Sequence, residues 1–222
     1  FIDVHKKDID EIDFIANDIP CSEGVCLVVD ITSSTEIKYK YGIKKWLLYM
    51  KNTFNILNMQ SKIEDNIIKY IGDAIMVFIP TENLFEKDQS IYDYHSLLGE
   101  IYGNVDILRM LDIEQKHLTC RVALHYCREV YNISFAKDSN DYYGRDIDLT
   151  YRLMSKALPN RIALSEAYYQ KVLEDLDRQG LSRESGFVNK ITDKYIEDFK
   201  GVPEATEFRL LRIKSERREY IR

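Results

Sequence analysis

No apolar run in this chain approaches the ~20 residues that a membrane-spanning helix needs, and its opening residues do not read as a signal peptide. There is no internal repeat, low-complexity tract or linker, so the 222 residues are read as one domain with at most a small appendage. An excess of positive charge is missing too. Lys and Arg number 31 against 37 Asp and Glu, a formal net charge of −6. That argues against nucleic-acid or anionic-membrane binding over a broad surface, while leaving room for a local basic pocket. Cysteine is scarce: Cys21, Cys26, Cys120 and Cys127 lack the spacing of a zinc site, and Cys26 and Cys120 fall in strand-like runs. Reduced thiols in a cytoplasmic protein are expected. The four histidines (His5, His95, His117 and His125) form neither a triad nor a ligand spacing, and His125 reads as structural. Because the chain opens at Phe1, it is read as an excised or processed fragment whose neighbouring domains or anchor are missing.

What is present has the composition of a packed globular protein, 45% hydrophobic and 31% charged. Residues 1–20 are acidic and irregularly amphipathic, with Ile9, Ile12, Phe14 and Ile15 as packing points, and Pro20 closes the segment. The extension is taken as 1–23 and the domain as 24–222. Val25-Cys26-Leu27-Val28-Val29 reads as a buried strand over 25–31. Ser33, Ser34 or Thr35 can then cap a long helix through about residue 61. On it Trp46, Leu47, Met50, Phe54 and Leu57 recur at helical spacing and are assigned to the core. A hairpin over 64–79 turns at Ile71-Gly72 and ends at Pro80. There follow a helix at 91–113, strands at 118–126 and 129–135, a loop at 137–141 and a helix at 146–157. A short strand at 161–164, a helix at 165–177 and strand-like runs near 186–191 and 206–213 complete the order. This order predicts an α+β fold, a ferredoxin-like antiparallel-rich sheet with helices on one face.

Two segments place a carboxylate at the edge of an apolar run: Val28-Val29-Asp30-Ile31-Thr32-Ser33-Ser34-Thr35 and Ile68-Lys69-Tyr70-Ile71-Gly72-Asp73-Ala74-Ile75-Met76. In the predicted sheet the first strand and the hairpin are neighbours, which brings Asp30 and Asp73 to one edge. A carboxylate at the end of a buried strand is costly unless a charge partner or a metal satisfies it. Two of them can hold divalent cations against a phosphorylated substrate. Each also has a plainer reading as a turn or cap aspartate. Further on, Asp148 and Arg152 are four apart and share one face if 141–154 is helical.

With Asp141-Tyr142-Tyr143-Gly144-Arg145-Asp146-Ile147-Asp148 and Phe199-Lys200-Gly201-Val202 added, the chain resembles the catalytic domain of class III nucleotidyl cyclases, the adenylate and guanylate cyclase family. The resemblance runs from about residue 24 to about 213 and rests on several motifs in the family's order. It implies that Asp30 and Asp73 hold two metal ions per site, Mg²⁺ or Mn²⁺, helped by the backbone carbonyl of Ile31. It places Thr32, Ser33, Ser34 and Thr35 near the triphosphate. It gives Lys69 and Asp141 the reading of the base. Lysine with aspartate there is the adenylate-cyclase combination, whereas guanylate cyclases usually carry glutamate and cysteine. Arg152 matches the arginine that stabilises charge on the α-phosphate, Lys200 a triphosphate-binding lysine, and Arg121 an arginine that contacts phosphate in some members.

The resemblance also implies a head-to-tail homodimer acting on a nucleoside triphosphate, most simply ATP converted to 3′,5′-cyclic AMP and pyrophosphate. Asp30 and Asp73 would come from one subunit and Lys69, Asp141, Arg152 and Lys200 from the other. No nucleic-acid partner is expected, and no membrane contact from this segment. Three positions depart from the family. Asp148 stands where an asparagine orients the ribose, and Ala123 and Cys127 replace glycines. Asp148, Cys127 and the surrounding tyrosines keep a pyrimidine nucleotide cyclase (UTP or CTP) of a bacterial defence system open as an alternative, and Lys69 with Asp141 argues against it. A catalytically degenerate module for dimerisation or nucleotide sensing is a second alternative. A polymerase-palm or diguanylate-type enzyme is a third, opposed by the lack of a Gly-Gly-Asp/Glu-Glu-Phe-type hairpin.

Overall fold

A computed structural model describes residues 19–57, 61–85, 93–110, 112–113, 116–117, 119–133, 141–183 and 186–213. The suggested packing points Ile9, Ile12, Phe14 and Ile15 and most of the 137–141 loop lie outside those residues.

The chain forms a sheet in which β1 (Cys21–Ile31) is central, flanked antiparallel by β3 (Ala74–Pro80) and β6 (Cys120–Asn132). The run from Val25 to Val29 is apolar at every position and buried on both faces, which is what a central strand requires. β2 (Ile67–Ile71) pairs with β3 through a two-residue Gly72-Asp73 loop and forms one border. Beyond β6 the sheet continues with β8 (Arg161–Ser165), β10 (Thr206–Arg212) and β9 (Tyr195–Glu197), while β7 (Tyr142–Tyr143) pairs with the end of β6. A separate two-stranded ladder joins β4 (Asp112–Ile113) and β5 (Lys116–His117). The order β6-β1-β3-β2 in the first half is the split βαββαβ arrangement, so the ferredoxin-like expectation holds. β6 and β8 run parallel.

The helices lie on both faces, not on one. Val25, Leu27 and Val29 of β1 meet α2 (Ile43–Leu57), α5 (Tyr94–Met110) and α7 (Glu166–Gln179) in the larger core. Cys26 and Val28 face the other way, against α6 (Arg145–Lys156). The alternation of a strand buried on both faces feeds two cores, and nothing in the linear order tells which one a given helix covers.

Other expectations change in detail. The helix expected through 61 is interrupted: α1 (Ser34–Tyr41) and α2 are separate, and among the described residues that follow is the single turn α3 (Ser61–Glu64). The first break falls at Gly42, whose φ of +85° leaves the right-handed region. Another one-turn helix, α4 (Thr81–Leu84), follows β3. Leu47 was assigned to the core, but Leu47 and its neighbour Leu48 are exposed, at 53% and 55%. The two strands predicted at 118–126 and 129–135 are the one strand β6, because exposed Arg128 and Glu129 form a bulge where the register with β1 shifts, and the strand runs on past it instead of turning. The run near 186–191 is a 3₁₀ turn, Val188–Lys190, with one bridge from Ile191 to Leu211.

Candidate active site

The C-terminal end of β1 brings together the first pair of carboxylates. Asp30 stands opposite Ala74 in β3, directly beside Asp73 in the hairpin loop, and the Ile31 amide reaches the Asp73 carbonyl at 3.4 Å. Asp30 also stands opposite Arg121 of β6. The Arg121 guanidinium donates to Asp30 through Nε at 3.0 Å and through a second, shorter contact from Nη2. Tyr151 of α6 is close enough to this edge to feel it: burial, and then the charges of Asp30 and Asp73, push its hydroxyl above its ordinary range. The two aspartates thus form one anionic edge, partly neutralised on the Arg121 side. Its oxygen donors are the kind that suit a hard divalent cation.

Next to Asp30 the chain turns into α1. Thr32 hydrogen-bonds the Thr119 carbonyl through both its amide and its hydroxyl, each at 2.9 Å, and its hydroxyl also touches that of Thr119. Ser33 occupies the N-cap of α1 in a left-handed conformation, with no side-chain cap bond. Ser34 is buried, and its hydroxyl accepts from the Trp46 indole at 2.6 Å. Thr35 is exposed. Of the four hydroxyls assigned to phosphate, those of Thr32 and Ser34 already have partners within the fold.

The base-reading candidates meet at the other side of the hairpin. Lys69 of β2 and Asp141, just ahead of β7, are paired at 2.7 Å although 72 residues apart in sequence. Asp141 also accepts from the Tyr142 amide at 3.0 Å and from the Tyr143 hydroxyl at 2.8 Å, and the Lys69 ammonium lies over the Tyr143 ring. Partial burial pushes the Asp141 carboxyl up. The contacts from Lys69, Tyr143 and the Tyr142 amide outweigh that and hold it below its ordinary value. Neither partner is fully buried, so an incoming base edge can exchange for this contact. Tyr143 lies inside the Asp141–Asp148 motif, but the resemblance assigns it no role. Its role as a direct partner follows from the two-residue β7, too short to read from sequence.

α6 carries the remaining candidates. Asp148 and Arg152 are exposed one turn apart, and Asp148 in the first turn also suits the positive end of the helix. Arg152 reaches the Phe199-Lys200-Gly201 turn: its Nη2 would lie 3.8 Å from a methyl group built on Gly201. Arg152 and exposed Lys200 therefore form one cationic corner. What positions this helix is the close approach of Gly144 to β6, where any Cβ would stand 2.6 Å from the Glu129 carbonyl.

The fold and the ordered motifs point to one family. The chain belongs to the family described as the adenylate and guanylate cyclase catalytic domain, which it matches over residues 20–193. Among solved structures it is similar to the adenylyl cyclase CyaB of P. aeruginosa, at 17% identity and a TM-score of 0.66, covering 90% of this chain and 98% of that one. It is also similar to the guanylyl cyclase Cya2, at 16% identity and a TM-score of 0.61, covering 90% and 97%. A third likeness is to the dimeric guanylyl cyclase domain of the RhoGC fusion protein from the aquatic fungus Blastocladiella emersonii, at 13% identity and a TM-score of 0.60, covering 87% and 98%. No curated protein matches the chain. At these identities the solved structures speak for the fold alone, and they include both adenylyl and guanylyl cyclases.

Proposed function

We propose that this nucleotidyl cyclase domain acts on ATP, forming 3′,5′-cyclic AMP and pyrophosphate at sites shared between two copies of the chain. The observation that carries the choice of base is the Lys69–Asp141 contact at 2.7 Å. It brings a cationic donor and an anionic acceptor to one place, spaced as neighbours along a purine edge. Lys69 can donate to a ring nitrogen of adenine while Asp141 accepts from the exocyclic amine. Guanine presents the opposite pattern there, and a mismatched base leaves polar groups unpaired.

Asp30 and Asp73 fit two divalent cations, Mg²⁺ or Mn²⁺, by donor type and by their shared edge. When bound, such ions lower the pKa of the ribose 3′-hydroxyl and screen the triphosphate. Arg121 exchanges its Asp30 contact for a phosphate oxygen as the nucleotide enters. Arg152 and Lys200 face the negative charge that shifts onto the α-phosphoryl and leaving oxygens, and stabilise it. Asp148, one turn from Arg152, faces the ribose. Support for the shared site comes from exposed apolar side chains, Ile43, Leu47 and Leu48 on α2 and Tyr70 and Ile71 on β2, which a second copy can cover.

The test is to incubate the chain with ATP, GTP, CTP and UTP separately, with Mn²⁺, and to identify products by mass. The highest kcat/KM is expected for ATP. Changing Lys69→Glu with Asp141→Cys is expected to shrink that preference by roughly 1–3 kcal/mol. Turnover of UTP or CTP with none of ATP would refute the base assignment and leave the family intact.

A further inference from the structure

On the α6 face of the sheet, away from the aspartate edge, groups with metal-ligating chemistry converge from three elements. His125 and Cys127 are two apart on β6 and so share a face, and Asp146 comes from the first turn of α6. One ligand atom of each lies within 4.8 Å of the other two. Cys26 stands directly opposite His125 in the β1–β6 ladder, and its thiol is close enough to that of Cys127 to perturb it. His125 is buried, with 6% of its surface exposed, and neither ring nitrogen makes a hydrogen bond. Its Nε2 stops 3.4 Å from Oδ1 of Asp146, aimed into the cluster. A buried imidazole left in this way is costly unless something else engages it.

Asp146 and Cys127 also have contacts of their own, and the Cys127 thiol donates to the His125 carbonyl at 3.8 Å. Asp146 accepts the Arg128 amide at 2.7 Å through its other oxygen. Although burial pushes its carboxyl up, the imidazole and the amides of Arg128 and Glu129 hold it below the ordinary range. The Cys127 thiol is pushed well up, first by burial and then by Cys26 and Asp146.

We infer that His125, Cys127 and Asp146 form a binding site for a zinc-type divalent cation, with Cys26 at the fourth position. One nitrogen, one carboxylate oxygen and two sulfurs are a borderline-soft set that suits Zn²⁺ better than Mg²⁺. Tetrahedral bonds of about 2.0–2.3 Å put ligand atoms about 3.3–3.8 Å apart, so the cluster closes by about an ångström through side-chain movement. On binding, the Cys26 and Cys127 thiols release their protons to solvent and no electron is transferred. Cys26 and Asp30 are four positions apart on β1, roughly 13 Å of strand, so the site is distinct from the aspartate edge. Its cation ties the start of α6 to the sheet, and with it the stretch from Asp141 to Arg152. The inference is independent of the cyclase reaction and of the base it uses. Sequence spacing hid the site because the ligands span positions 26 to 146 with only His125 and Cys127 adjacent in pattern.

The test uses the full chain, stripped of metal with a chelator and titrated with Co²⁺, whose spectrum reports its ligands. One equivalent is expected to give sulfur-to-cobalt charge-transfer absorption with the strong visible bands of a four-coordinate ion, both erased by adding Zn²⁺. Those bands are expected to persist when Asp30→Asn and Asp73→Asn are combined. Cys127→Ser is expected to remove most of the charge-transfer intensity, and His125→Gln to weaken binding about tenfold or more. A wild-type chain that gives no charge-transfer band overturns the inference whether or not the variants fold. So does a band that survives when Cys26→Ser and Cys127→Ser are combined.

Discussion

At the residue scale, the informative feature is that two of the candidate carboxylates are already answered by a partner of opposite sign. Asp30 has Arg121 across the β1–β6 ladder, and Asp141 has Lys69. Neither pair is a large source of stability, because Arg121 and Lys69 each keep 37% of the side chain exposed, and water competes for such contacts. The charges are therefore available for exchange with a substrate. Asp30→Asn or Asp73→Asn is expected to lower turnover by roughly 10²–10³-fold or more, the scale on which lost charge stabilisation acts. Either variant is expected to change unfolding free energy by only about 1 kcal/mol or less. Parallel activity assays and denaturant titrations check both halves. Near-normal turnover at ordinary metal concentration in either variant would remove the metal assignment. The residue types were legible in the sequence because they fall in ordered motifs. The pairings were not, because Asp30 meets Arg121 across 91 residues and Lys69 meets Asp141 across 72, and only strand register decides that.

At the element scale, α6 carries the largest share of the candidate site, since Arg152 sits against the Lys200-Gly201 turn and Tyr151 feels the charge of both aspartates. Its start is fixed by contact with β6 at Gly144, where a methyl group would meet the Glu129 carbonyl, a backbone atom of a paired strand that cannot move aside cheaply. Gly144→Ala is accordingly expected to cost about 1–3 kcal/mol of stability, as overpacking does. It is also expected to reduce kcat by more than that loss of folded protein explains. Unfolding midpoints and kcat measured below the melting range test this, and an unchanged midpoint would show that the close approach does not constrain the helix. The elements themselves were largely readable. β1, the hairpin, α5, α6, β8, α7 and β10 all fall close to where apolar periodicity placed them. The misreadings share a cause: local polarity does not reveal long-range pairing. Cys127 and Arg128 fall between two predicted strands but lie within one, and Leu47 looks like core but lies on the surface.

At the scale of the whole molecule, one copy presents the aspartate edge and the Lys69–Asp141 pair with its Arg152–Lys200 corner, but the proposed reaction needs these from two copies facing each other. That requirement separates a shared site from one built within a single chain. Asp73→Asn damages only the metal edge, and Arg152→Ala only the phosphate corner. Each homodimer then has two broken sites. A heterodimer of the two variants places both lesions in one site and neither in the other. Random exchange makes half of the dimers mixed, so mixing equal amounts is expected to restore at most about a quarter of wild-type activity. The recovery is expected to develop at the rate of subunit exchange and to depend on total concentration. Exposed Ile43, Leu47 and Leu48 supply a further handle. Changing Leu47→Asp is expected to weaken self-association, as read by sedimentation, and to lower activity most at low protein concentration, because a charge on a covered apolar surface is costly. If verified exchange gives no recovery, each chain carries its own site, and the exposed α2 face belongs to some other contact.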